Sequence, residues 1–496
     1  MNALTVPILI CYTAVMAVIC VYGLHRYWMV GVFLRRNGRA GAEIRPSRRF
    51  DELPRVTVQL PMFNERYVAE RVIEAACGID YPPDLLEVQV LDDSTDESAG
   101  IARRCCERLA DAGHNVRYIH RHNRQGYKAG ALAEGLRSCS GEFVAVFDAD
   151  FVPPADVLRQ SIHHFTDDGL GMVQLRWSHL NRHDSLLTEI QAMFLDGHFI
   201  IEQTARALSG RWFNFNGTAG VWRRSCIDDA GGWQHDTLTE DTDLSYRAQM
   251  KGWRFRYLQD VACPAEVPPT IGAFMTQQHR WNKGLIQTAI KLLPRIMTSR
   301  APIGTKIEAW FHLTSPLVHV AIVLLAVLAA PLLLLLWNSE NLQISPTAAF
   351  VVGAMLLFLG TLAACTFYLA SQWAQGARLW QTTTRLPALM ALGIGISLTN
   401  ARAVTEAVLG RQSPFVRTPK YNGRGSSAAD PLLRRRRWVP TGAIELVLGT
   451  VMLLCFAVTL VRPQTLIGAP FILLFAWGYL GVGLPHFRRM WEGKGA

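Results

Sequence analysis

Lysine is nearly absent from this chain: seven of its 50 basic residues are Lys and the rest are Arg. Charge of either sign is scarce, at 18% of 496 residues, while half the residues are hydrophobic. That balance excludes a disordered polyelectrolyte and is more apolar than a purely soluble protein needs. No CxxC pair occurs among the ten scattered cysteines, which argues against a zinc site and a disulfide framework and leaves the thiols as packing groups. The length exceeds one ordinary domain. A net charge of +10 raises nucleic acid or an anionic membrane surface as partners.

What is present is a set of long apolar runs. About 20 such residues cross ~30 Å of hydrocarbon as a helix. Five stretches reach that length: Thr5–Leu24, 313–337, 348–370, 442–461 and 465–485. The first lacks the basic start and small-residue cleavage site of a signal peptide. A sixth, 386–410, is interrupted by Gly393, Gly395, Asn400, Arg402 and Glu406. Sidedness follows the basic residues. Residues 25–49 hold seven arginines against Glu43, and 411–437 hold eight basic residues including Arg434–Arg437, whereas Asn338–Pro346 holds none. Both basic segments are cytoplasmic only if 386–410 does not span, which makes it an interfacial or re-entrant helix. The Arg434–Arg437 run reads as a positive-inside anchor or lipid-headgroup contact. The membrane thus accounts for most of the excess charge, and nucleic acid is not needed. Three regions result: 1–49, an amino-terminal membrane helix and basic linker; 50–300, a cytoplasmic domain; and 301–496, a membrane domain.

Within 50–300, apolar strand-like runs (Val56–Leu60, Val88–Leu91, Val116–Ile119, Phe143–Phe147) alternate with helical patterns near Val68–Cys77, Glu97–Ala112 and Ala129–Ser138. That alternation predicts an α/β domain with a mostly parallel sheet covered on both faces, whose ligands bind beyond the carboxyl ends of the strands. Two strands end in acids. Asp148 and Asp150 follow Phe147, and at spacing i, i+2 both face one side; such a pair suits Mg²⁺ or Mn²⁺ completed by a diphosphate, although Asp-x-Asp is also common in solvated loops. Asp92 and Asp93 follow Leu91 and either accept hydrogen bonds from a base or ribose or form a surface turn. Glu240-Asp241 offers a carboxylate to deprotonate a sugar hydroxyl, or simply acids at a helix start. Arg280 and Trp281, in Gln277–Trp281, offer a cation for a leaving diphosphate and an apolar face for a sugar; the bland alternative is an amphipathic helix at the membrane surface.

The joint order Asp-Asp, Asp-x-Asp, Thr-Glu-Asp, Gln-x-x-Arg-Trp resembles processive family 2 glycosyltransferases of the cellulose and hyaluronan synthase type. Gln59–Glu65, Leu91–Asp96, Arg124–Leu132, Phe213–Trp222 and Gln412–Lys420 are similar to the cellulose-synthase-like glucomannan (β-mannan) synthases, so the resemblance covers about 50–425. It implies a glycosyltransferase A-type domain, a mixed and mostly parallel sheet, joined to an α-helical transmembrane bundle. It also implies roles: Asp92 and Asp93 on the base or ribose, Lys128 near the diphosphate, Asp148 on the nucleotide and Asp150 on a Mn²⁺ or Mg²⁺ ion. Asp241, beside Glu240, would be the general base. Gln277, Arg280 and Trp281 would close the site, and Phe215, Asn216, Gly217 and Thr218 would line the acceptor side. A second Gln-x-Arg-Trp string, Gln174–Trp177, lies within an apparent strand, and Trp177 is expected to pack rather than gate.

The implied activity is inverting transfer from a nucleotide sugar, UDP-glucose or GDP-mannose above others, onto a growing β-glycan of glucan or mannan type, with or without its passage across the bilayer. A lipid acceptor taking one or a few sugars is the alternative, and a catalytically dead scaffold a third. The carboxylates Asp93, Asp148, Asp150 and Asp241 are all retained, against the third. Asn282-Lys283-Gly284 departs from the plant synthases and leaves donor and linkage open. With no long segment after the last apolar run, regulation in cis by a cyclic dinucleotide is not expected. A homo-oligomer or export partner stays open, and the expected compartment is a bacterial inner membrane, with a Golgi membrane as the alternative.

Overall fold

A computed structural model describes residues 5–43, 45–338, 357–413, 417, 418, 420, 442–461, 466 and 468–492. Seven strands form one sheet: β1 Val56–Met62, β2 Leu86–Asp92, β3 Val116–His120, β4 Phe143–Val146, β5 Leu170–His179, β6 Gly220–Arg223 and β7 Arg254–Ala265, in the order β3-β2-β1-β4-β6-β5-β7. The β1–β2, β2–β3, β1–β4 and β5–β7 pairs are parallel, whereas β6 runs antiparallel to both its neighbours. The sheet is therefore mixed and mostly parallel, as the alternating pattern predicts.

The period of two along each strand divides the core. Val56, Val58 and Leu60 of β1 and Phe143 and Ala145 of β4 pack under the helices Ala69–Cys77 and Ser98–Asp111. Val144 and Val146 face the other side, with Leu132 of the helix Tyr127–Ser138. Thr57 and Gln59 also face that side and are buried. Thr57 donates across the sheet to Glu87 (2.7 Å) and Gln59 Nε2 to Gln89 Oε1 (3.0 Å), which offsets part of the cost of burying them, while Gln59 Oε1 and Gln89 Nε2 find no partner among the described residues. Because β1, β2 and β4 run parallel, their carboxyl ends open on one edge, where Asp93, Asp148 and Asp150 stand.

Among the described residues, four helices are long and apolar enough to cross a membrane: Val6–Arg35, Leu317–Leu334, Leu379–Val408 and Gly442–Val461, with a shorter apolar helix at Ala469–Pro485. The first run continues without a break to Glu43, well past Leu24. The second splits at Ser315-Pro316, so the helix Ile303–Thr314 precedes it as a separate element. The expected 348–370 span lies partly outside the described residues, and the portion from Leu357 is helical to Trp373. The hairpin beyond Asn338 and the Arg434–Arg437 run lie outside them altogether. The interrupted stretch 386–410 forms two helices, Leu379–Gly395 and Ser397–Val408, joined at Ile396. It is the least apolar of the four candidates, with mean hydropathy 1.3 against 2.2 to 2.8, and half of it is packed inside the protein.

Candidate active site

One cleft at the carboxyl edge of the sheet collects Asp93, Lys128, Asp148, Asp150, Asn216, Gly217, Glu240, Asp241, Gln277, Arg280 and Trp281. Strand ends supply Asp93, Asp148 and Asp150. The first turn of the helix Glu240–Met250 supplies Glu240 and Asp241, where the helix dipole favours carboxylates. The 28-residue helix Ile271–Thr298 supplies Gln277, Arg280 and Trp281. Gly284, one turn further on, lets that helix close on the loop before Glu240, since a Cβ there would lie 2.6 Å from Thr239. The helix is also tied to the segment that follows the helix Ser397–Val408 and to that helix itself. Lys283 is fully buried and donates to Glu406 (3.0 Å) and Ser413 (2.8 Å).

The acids differ in their partners. Asp92 is fully buried away from the cleft, accepting from the Ser94 N–H (2.9 Å) and the Tyr118 hydroxyl (2.7 Å). Asp93 lines the cleft and accepts two bonds from Arg121, at 2.7 and 2.5 Å. Lys128 Nζ bridges Asp148 Oδ1 (2.5 Å) and the Gly217 carbonyl (2.7 Å). Burial pushes the Asp241 carboxyl up to about 7, the adjacent Glu240 charge adds to the rise, and the Thr242 N–H and Lys128 oppose it. Burial likewise raises Glu240, against the pull of Lys128 and Arg280. A carboxyl in that range takes up and gives up a proton near neutrality, as a general base must.

Gly217 holds φ at 79°, and a Cβ on it would sit 3.0 Å from Asp241 Oδ2 and 3.4 Å from Lys128 Nζ. Gly217→Ala is therefore expected to lower Tm by about 1–2 °C, the left-handed backbone alone costing about 1 kcal/mol. It should cut turnover further than that loss of stability explains. Thermal unfolding alongside turnover checks both, and an unchanged Tm would remove the strain argument.

Phe215 and Thr218 do not line the cleft. Phe215 packs edge-on against Trp222 (5.6 Å), and Thr218 accepts the Asp148 N–H (2.8 Å), so both shape the site from behind. Trp177 does pack, against Phe151 and Phe199, but it also reaches the cleft beside Trp281 at 6.4 Å, so the second Gln-x-Arg-Trp string contributes a wall.

Residue reasoning did not single out Glu65, Arg417 and Lys420, although each lies in a stretch quoted for the family resemblance. Arg417 holds Glu65 through two 2.8 Å bonds, and Lys420 Nζ sits 2.5 Å from Asp150 Oδ2 and 2.8 Å from the Glu266 carbonyl. Asp148 and Asp150 thus each carry an ammonium group, marking two places where positive charge is stabilised. Hard oxygen donors on one wall of the cleft fit a divalent ion. Lys420→Met should therefore tighten Mn²⁺ binding several-fold by removing a competing cation, read by Mn²⁺ titration without any turnover. Weaker binding would instead make Lys420 a support for Asp150.

Strand-end carboxylates facing an acid pair, two basic side chains and an aromatic wall lie at the carboxyl edge of a sheet of the glycosyltransferase A-type fold. Residues 54–284 match the family described as "Glycosyltransferase like family 2", so the chain carries a glycosyltransferase domain of family 2. The chain is 46% identical over 264 residues to glucomannan 4-beta-mannosyltransferase 1 of Oryza sativa subsp. japonica, 52% of this chain and 49% of that protein. It is 45% identical over 262 residues to glucomannan 4-beta-mannosyltransferase 2 of Arabidopsis thaliana, 52% and 48% of the two chains. It spans about half the length of these curated relatives. Among solved structures, a mannosyltransferase from Pyrobaculum calidifontis in complex with GDP-Man and Mn²⁺ shares the fold, with TM-score 0.51 and 23% identity over 73% of this chain and 97% of that one.

Proposed function

We propose that this protein is a membrane-integrated, inverting glycosyltransferase that extends a β-linked mannan or glucomannan from GDP-mannose, its catalytic domain near 50–300 on the cytoplasmic side. The observation that carries this reading is the single cleft shared by donor-side Asp93, Lys128 and Asp148, the base Asp241, and the aromatic wall of Trp281 and Trp177. Similarity to the two glucomannan mannosyltransferases supports mannose as the sugar and a glycan as the acceptor.

In this mechanism Asp241 takes the proton of an acceptor hydroxyl. The hydroxyl oxygen bonds to the anomeric carbon as the bond to the diphosphate breaks, its electron pair leaving with the diphosphate. One displacement inverts the anomeric centre. Lys128 and Arg280 face the developing negative charge, where fixed cations in a water-poor cleft act most strongly. Trp281 and Trp177 hold the acceptor ring against the base, and that placement is a large part of the rate. Asp148 and Asp150 would hold a Mn²⁺ or Mg²⁺ ion, which supplies further charge neutralisation for the diphosphate.

The test is nucleotide release by detergent-purified protein with Mn²⁺ or Mg²⁺ and, separately, GDP-mannose and UDP-glucose, the products being sized and extracted with solvent. A high-molecular-weight, lipid-free product from GDP-mannose that β-mannanase digests is the expected result. A small, solvent-extractable product would overturn the glycan acceptor in favour of a lipid, and turnover of UDP-glucose alone would overturn the donor.

A further inference from the structure

Behind Asn216, which lines the cleft, lies a turn that the motifs quoted above do not include. The helix Leu186–Asp196 does not continue directly into Gln203–Leu208. A π-helical turn, Gly197–Glu202, separates them. Such turns bond i to i+5 and recur at functional sites. Residues five apart point in different directions on an α-helix, but here His198 and Gln203 converge on one side chain, Asn216. His198 Nε2 lies 2.8 Å from Asn216 Nδ2, and Gln203 Nε2 lies 2.5 Å from Asn216 Oδ1. Gly197 permits the turn to sit against the helix Ala363–Trp373, since a Cβ there would meet Phe367 at 2.5 Å.

The polarity of this chain is forced from both ends. Gln203 Nε2 also donates to the Asn214 backbone carbonyl (3.0 Å), so the amide, not its oxygen, faces Asn216. Asn216 must then present Oδ1 to Gln203 and Nδ2 to His198, which makes His198 Nε2 an acceptor. From the other end, His198 Nδ1 lies 2.9 Å from Glu202 Oε2. Burial works against ionised Glu202, but Arg206 and His198 outweigh it and hold the carboxyl well below its usual range. An ionised carboxylate only accepts, so Nδ1 carries the proton and Nε2 is bare. Arg206 is itself fixed by Glu308 (2.8 Å), whose other oxygen takes His25 of the first helix at 2.8 Å. The Asn216 backbone N–H is spent on Gln174 (2.9 Å). What the side-chain amide of Asn216 can still offer the cleft is one hydrogen and one lone pair, their identities fixed by the partners on either side.

We infer that His198, through the Glu202–His198–Asn216–Gln203 chain, is a positioning residue that fixes the amide of Asn216 to orient a sugar hydroxyl of the acceptor. This rests on the glycan-acceptor reading above. His198 does not itself line the cleft, and its effect is on acceptor placement rather than on donor binding.

The test compares full-length wild type with His198→Phe, His198→Gln and Asp241→Asn, using GDP-mannose and Mn²⁺. Two quantities are read: the ratio of mannose transferred to polymer over mannose released to water, and the affinity for GDP with Mn²⁺. Phe keeps the ring shape but neither nitrogen, and its transfer-to-hydrolysis ratio should fall about tenfold or more with nucleotide affinity unchanged. Gln can donate to Glu202 while accepting from Asn216, and should restore most of the ratio. An unchanged ratio in His198→Phe overturns the inference, as does an equal fall in His198→Gln or a parallel loss of nucleotide affinity. If wild type transfers no mannose, or transfers it as fast as Asp241→Asn, the functional reading fails first and takes this inference with it.

Discussion

Asp241→Asn should lower sugar transfer by a factor of about 10²–10⁴, the usual contribution of a positioned general base. Asn preserves the size of the side chain and can still accept the Thr242 N–H (2.7 Å) but cannot take a proton. The pH profile makes the prediction specific. Burial and the Glu240 charge raise the Asp241 carboxyl to about 7, so wild-type turnover should rise as pH rises through that value and be lost below it. The residual rate of Asp241→Asn should lack that acidic limb, and a limb that persists would assign the base to another group. Stability should move the opposite way. A carboxyl whose folded pKa is raised favours the fold most below the ordinary carboxylate range, and that contribution is lost as pH climbs through about 7. Asp241→Asn should therefore melt higher than wild type above pH 7, the exchange of stability for function expected at an active site.

Lys128→Met should have the second largest effect, a fall in turnover of about 10² or more, because a fixed cation facing the departing diphosphate is lost. Met keeps the length of the chain and discards the charge that holds Asp148 and the Gly217 carbonyl together. The same charge restrains the rise of Glu240 and Asp241. The acidic limb of the residual activity should accordingly move above pH 7. Turnover measured across pH separates this from simple loss of donor binding, which lowers the rate and leaves the limb where it was.

Some of the site was legible before any coordinates because its chemistry is local. An apolar strand that ends in Asp148-Ala149-Asp150 announces a strand-end acid pair, and the parallel sheet then dictates on which edge it opens. Likewise Glu240 and Asp241 stand in the first turn of a helix and line the cleft at once, so the helix start and the site are the same turn. Asp92 and Asp93 were not separable by that route. Neighbours on one chain, they part only because one faces Tyr118 on β3 and the other faces Arg121 and the cleft.

The class of sheet, the order of the acidic and Gln-x-x-Arg-Trp motifs and the presence of long apolar helices are written in the chain alone, since strand alternation, motif spacing and run length are properties of short windows. Tertiary structure decided which of those residues share a cleft. Arg417 and Glu65 are 352 positions apart, Lys420 and Asp150 are 270 apart, and no periodicity encodes either pair. The convergence of His198 and Gln203 on Asn216 likewise depends on a π-helical turn that local propensity does not announce. Charges and amide dipoles act through space, so their partners are fixed only when packing brings the elements together.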